Sequence, residues 1–156
     1  MKNTKKIMLA TLLIAIGYGE LVAAHTQAGS IGRKKSKAGG TDIYEVTCSN
    51  AGDGTGEPEH LYVDVKDLRP RNPAQVSIQA VLPANGAATP VSIDAKDSDP
   101  FPSPGYTLVG GSGPYLMTVN KTRSRKAGAE VYLVEFHCQS AAGAHTGIDW
   151  VMKQNQ

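Results

Sequence analysis

Beyond its first two dozen residues, the sequence lacks any window with the three-to-four spacing of apolar side chains that an amphipathic helix needs. That excludes helical bundles and folds in which helices cover a parallel sheet. An internal repeat is also missing, as are a Gly-x-Ser-x-Gly elbow and a metalloprotease helix motif. The carboxylates are scattered over outward strand positions and loops, and no nucleophile, base and orienting group are marked together. The chain therefore reads as a non-catalytic protein, with a secreted enzyme ranking third among the readings. Charge of one sign is lacking too. The formal net charge is +2, but residues 1–24 hold Lys2, Lys5, Lys6 and Glu20, so the remainder has 13 basic and 13 acidic residues. A balanced chain of this kind gives no reason to expect a nucleic-acid partner.

What is present begins with a leader. Residues 1–6 are basic, residues 7–16 are apolar but for Thr11, and the stretch ends in Leu21-Val22-Ala23-Ala24 with small residues where a signal peptidase cuts. Residues 1–24 are read as a cleaved signal peptide. The apolar run is shorter than the ~20 residues of a membrane span, and no cysteine follows it to carry a lipid. The expected location is the periplasm or the extracellular space, with no transmembrane segment after cleavage.

Cysteine is scarce, and both copies, Cys48 and Cys138, lie in the exported part. In an oxidising compartment an even count favours a disulfide. Each cysteine ends an alternating run on its apolar face, after Tyr44 and Val46 in one case and after Val134 and Phe136 in the other. A bridge would close a loop of 89 residues, which in the chain-entropy account stabilises by roughly 4–5 kcal/mol.

The remaining signals are strands. Residues 42–48, 60–67, 75–82, 90–94, 106–109, 115–120 and 130–138 alternate apolar and polar side chains, and 148–152 is a possible last strand. Glycine- and proline-rich turns separate them. In residues 130–138, Tyr132, Val134, Phe136 and Cys138 share an inward face while Glu135 and His137 share the other. Residues 115–120 and 130–138 read together as an antiparallel hairpin. The expected fold is all-β: a single antiparallel β-sandwich, Ig-like or jelly-roll-like, with one disulfide. It spans 41–152, after a flexible arm at 25–40 and before a tail at 153–156. The arm carries Arg33, Lys34, Lys35 and Lys37, which a solvated tail explains.

Asp42-Ile43-Tyr44-Glu45-Val46, Gly113-Pro114-Tyr115-Leu116-Met117-Thr118-Val119 and Val131-Tyr132-Leu133-Val134 give the chain a resemblance. It is similar to the bacterial pre-peptidase C-terminal domain, a small sandwich appended to secreted enzymes. The two cysteines and the lack of an attached peptidase depart from that pattern. The resemblance implies a fold and a binding or accessory role, with an unidentified protein or polysaccharide partner at the cell envelope.

Two metal sites are candidates, although no cofactor is the leading expectation. Cleavage after Ala24 would make His25 the first residue, offering an α-amine and an imidazole to copper(II), whose tetragonal preference suits nitrogen donors. In this His25 resembles the first residue of secreted copper oxygenases and copper carriers. Further ligands would come from His145, His137 or His60. A periplasmic copper-binding protein is the alternative function. Calcium ranks lower: Asp53, Glu57 and Glu59 sit among glycines, without the alternating acidic positions of an EF-hand. Asp94, Asp97 and Asp99 form a second acidic cluster under the same objection.

Overall fold

The computed structural model describes residues 25–70 and 74–156; the expected leader, 1–24, lies outside them. The described residues form nine strands and no helix. They are β1 (His25–Ile31), β2 (Gly40–Ser49), β3 (His60–Arg69), β4 (Val76–Val81), β5 (Ser92–Asp94), β6 (Tyr106–Val109), β7 (Gly113–Lys121), β8 (Glu130–Gln139) and β9 (Gly147–Gln154). One antiparallel sheet has the order β1-β8-β3-β6, the other β5-β4-β7-β2-β9. No helix among the described residues is long and apolar enough to cross a membrane.

The alternating positions meet between the sheets. Leu61, Val63 and Val65 of β3 and Tyr132, Val134 and Phe136 of β8 close on Tyr44 and Val46 of β2 and Tyr115, Met117 and Val119 of β7, all fully buried. Cys48 and Cys138 are bonded, with Cα atoms 5.5 Å apart, and so tie β2 of one sheet to β8 of the other.

Three expectations are corrected. Residues 115–120 and 130–138 are not a hairpin: β7 pairs with β2 and β4, whereas β8 pairs with β1 and β3. Alternation shows that each strand has an inner face, but not which sheet it joins. The connection at 122–129 is long enough to cross the ~10 Å between stacked sheets. The flexible arm at 25–40 is also revised, because residues 25–31 are an edge strand on β8 and only 32–39 form a loop. Strand pairing there is carried by the backbone, so an apolar pattern was not required. Ile31 anchors it, fully buried. Gly29 lies directly over the Tyr132 ring, where an added Cβ would come 2.2 Å from Cζ. Finally, the tail at 153–156 is held. β9 runs to Gln154, the Gln156 N–H donates to Asp42 Oδ1 at 2.8 Å, and its carbonyl accepts from Gly32 N.

That last contact belongs to a buried polar network. Tyr132 donates its hydroxyl proton to Asp42 Oδ2 at 2.7 Å, so Tyr44, 2.6 Å from the Tyr132 oxygen, must donate to it. Asp42 is fully buried, with both oxygens satisfied, which is what lets a carboxylate stay inside.

Two variants test this arrangement. Gly29→Val should destabilise by about 1–3 kcal/mol through overpacking against Tyr132, while Ala28→Val, exposed on the same strand, should change stability by less than about 0.5 kcal/mol. Replacing Cys48 and Cys138 together by alanine should remove about 2–5 kcal/mol. Chemical denaturation reads both, and equal effects of the two valines would reject the β1 placement.

Candidate functional site

The candidate surface is the outer face of the β3–β8 pair, which the strand register assembles two residues at a time. His60 stands opposite Gln139, Tyr62 opposite His137, and Asp64 opposite Glu135, and directly opposed residues share a face. Each pair is joined to the next or across. His60 Nε2 lies 3.0 Å from Gln139 Oε1, the Tyr62 ring stacks on the His137 ring at 5.6 Å, and the Tyr62 hydroxyl donates to Asp64 Oδ2 at 2.9 Å. His137 Nε2 is 2.8 Å from Glu135 Oε1.

The chain then adds a second imidazole. After β8, the turn at 140–143 closes with Gly143 N donating to Ser140 O, and Thr146 N donates to Cys138 O. These bonds bring the segment back along β8, pairing His145 with Gln139. The segment continues the edge that β1 begins at His25, opposite Phe136. The His145 ring consequently lies 4.4 Å from the His137 ring, tilted by 30°. His137 is only 6% exposed, and the Nδ1 atoms of both rings are buried without a hydrogen-bond partner among the described residues. The His25 ring is 6.4 Å from Phe136, which meets Trp150 edge-on at 6.3 Å.

The electrostatics follow from burial. His145 is held below the ordinary imidazole value by burial first and by His137 and His25 next, against the opposing pull of Glu135. The shift favours its neutral form, the one that ligates a metal. Tyr62 is pushed up to about 12 by burial and by its bond to Asp64. Asp64 is itself raised, chiefly by burial.

Of the four histidines singled out as metal ligands, His137 and His145 are brought into ring contact, and His25 lies within electrostatic reach of His145. His60 has both ring nitrogens near side-chain oxygens of Glu59 and Gln139. No group of three or more His, Cys, Asp or Glu side chains among the described residues is arranged to hold a metal ion. The side chains thus offer two nitrogens already together, and a third donor would have to come from His25. In the calcium loop, Asp53 Oδ1 accepts from the N–H and hydroxyl of Thr55, Glu57 accepts from Asn50 and Ser112, and Glu59 faces His60. Each carboxylate there is already engaged by a protein partner.

A second cluster went unread in the sequence, where carboxylates are assigned to outward positions and loops. Asp67 and Glu130 are fully buried at the opposite ends of β3 and β8 from the histidines, next to Lys121, also buried. Among the described residues, neither Asp67 oxygen has a hydrogen-bond partner. Asp94 Oδ2 accepts from the Asp67 N–H at 2.7 Å, and Lys121 Nζ donates to Ala38 O at 3.1 Å. Burial, then Asp97, Glu130 and Asp94, push the Asp67 carboxyl up to about 7 against the pull of Lys121. Burial and Asp97 push Glu130 up to about 7, again against Lys121. Asp67 continues the inward phase of Val63 and Val65, so period two marks its face; its acidic neighbours come from β5 and a loop, which no local pattern joins.

No family model matches this chain, and no curated protein or solved structure matches it either.

The buried acids make stability depend on pH in a definite direction. With folded values raised to about 7 from 3.8 for Asp67 and 4.5 for Glu130, their favourable contribution is complete below about pH 4 and is lost as pH rises through about 7. Asp67→Asn removes one buried charge without changing shape. It should be more stable than the unsubstituted protein by roughly 1–3 kcal/mol at pH 8, with a much smaller difference at pH 5. Denaturation at the two pH values measures the crossover; a gain that is equal at both would contradict it.

Proposed function

We propose that the chain is an exported, non-catalytic binding or accessory module. The basic leader at residues 1–24 and the Cys48–Cys138 bridge support an oxidising destination, the periplasm or the extracellular space. The two-sheet architecture supports the accessory role implied by the likeness to the pre-peptidase C-terminal domain. The observation that carries a binding role is the His137–His145 contact, because buried ring nitrogens without partners are costly unless a ligand meets them.

Two ligand classes suit this surface. One is a protein or polysaccharide of the cell envelope lying against the polar outer face of β3 and β8. The second is copper(II), and the position of His25 favours it specifically. Cleavage after Ala24 would place a free amine and an imidazole at the start of β1, beside His145. Because residues 25–31 are a paired strand rather than a loose arm, the ordering of His25 is already met by folding. Glu135 would hold the His137 ring by its Nε2 and leave Nδ1 to face the ion, the arrangement by which outer carboxylates orient ligating imidazoles.

A copper titration of two forms tests this reading, one beginning at His25 and one carrying a single extra residue before it. The extra residue moves the amine away from His25, so affinity should fall on the order of 100-fold. His145→Ala should weaken copper in the His25 form by at least about tenfold. Identical affinities for the two forms would end the copper reading and leave the envelope partner.

A further inference from the structure

The sequence splits its exposed cations between two loops that the fold joins. Residues 32–39 read GRKKSKAG and residues 122–128 read TRSRKAG, with no acidic residue in either. Ser124 N donates to Lys37 O at 3.0 Å and Gly128 N to Ser36 O at 3.1 Å, so the loops lie side by side. Arg33, Lys34, Lys35, Lys37, Arg123, Arg125 and Lys126 are all exposed. Among the described residues none of these seven takes part in an ion pair. Residues 25–156 are neutral in total, so seven cations at one end leave the rest of that chain with 6 basic and 13 acidic residues. The patch lies where β8 begins, near the buried acids Asp67 and Glu130, and the histidines are near where β8 ends, about 20–25 Å away at the rise of a strand.

The composition of the two loops discriminates among anionic partners. Neither holds an aromatic side chain on which a sugar ring could stack, nor a large apolar one that could insert into hydrocarbon. Both present lysine and arginine, donors suited to phosphate, with glycine and serine between them. A groove of about 440 Å³ lined by Gly32, Arg33, Ser36 and Gln156 opens beside the first loop.

We infer that the paired loops 32–39 and 122–128, through their exposed cations, are a docking surface for a phosphate-bearing anionic lipid membrane, with the histidine end of β8 facing away. The contact is peripheral, made by headgroup phosphates with exposed cations, and is screened by salt. It is independent of the copper reading, since it uses the other end of the sandwich.

Sedimentation with vesicles tests it, using protein lacking residues 1–24 and a chelator to keep metals out. Vesicles of phosphatidylcholine with 30% phosphatidylglycerol (about a third, as in anionic leaflets) should bind the protein at low salt and release it at high salt. Pure phosphatidylcholine should not bind. The triple variant Lys35→Gln, Arg125→Gln, Lys126→Gln should lose on the order of 100-fold in partitioning, at about fivefold for each charge. The matched triple Lys66→Gln, Lys96→Gln, Lys153→Gln should stay within about threefold, and melting of each variant confirms that it folds. Equal losses in the two triples would overturn the docking surface and leave only net charge. Binding to dextran sulfate with none to the anionic vesicles would also overturn it, in favour of a polysaccharide. Copper affinity unchanged in the Lys35 triple, with vesicle binding lost, would separate this inference from the proposed function.

Discussion

The bond between Cys48 and Cys138 is the constraint on which most of this structure depends. It joins β2, set between β7 and β9, to β8, set between β1 and β3. The covalent link therefore holds sheet to sheet, whereas every hydrogen-bonded ladder acts within one sheet. By closing 89 residues it restricts the unfolded chain most strongly in the stretch from β3 to β8. It also fixes the end of β8 in depth. Cys138 points inward and His137 outward, and the carbonyl of Cys138 is the acceptor that brings Thr146, and with it His145, back to the sheet. The histidine pair is in this sense a consequence of the staple.

The two ends of the β3–β8 pair handle buried polarity differently. Near the histidines, Tyr62, Asp64, Glu135 and Gln139 satisfy one another or a ring nitrogen, and what remains unpaired among the described residues is Nδ1 of two imidazoles with the hydroxyls of Ser140 and Thr146. At the other end, the acids Asp67 and Glu130 crowd one buried lysine, with Asp94 and Asp97 adding to the field. Burial disfavours charge in both places, but it keeps an imidazole neutral and ready to ligate while it drives a carboxyl toward protonation. Asp42 shows the third outcome, a buried carboxylate accepting from a tyrosine hydroxyl and a backbone N–H.

The exposed cations complete the asymmetry. Arg33 to Lys37 and Arg123 to Lys126 are distant in sequence, and each group alone is an ordinary solvated run. The backbone bonds from Ser124 to Lys37 and from Gly128 to Ser36 turn them into one surface. The two ends of β8 thereby carry separate chemistry, exposed cations over buried acids at one and the histidines at the other.

How much of this the sequence determined depends on the range of the interaction involved. Period-two patterning is local and strong, so the inward faces of β2 and β8 were legible residue by residue, from Tyr44 to Cys138. The disulfide was legible because only two cysteines exist and both end inward-facing runs. The Glu135–His137 face was legible for the same reason of period. Sheet membership was not: β7 and β8 look like a hairpin, yet backbone ladders are indifferent to side-chain identity, and packing assigned them to opposite sheets. The strand at His25–Ile31 was hidden because an edge strand with small polar residues needs only backbone pairing and one glycine to clear Tyr132. Likewise no local pattern could bring His145 onto His137, gather Asp94 and Asp97 around Asp67, or lay residues 32–39 against 122–128. Those contacts join residues separated by anything from a few positions to most of the chain, and their geometry is set by strand register and loop closure, which exist only once the two sheets have packed.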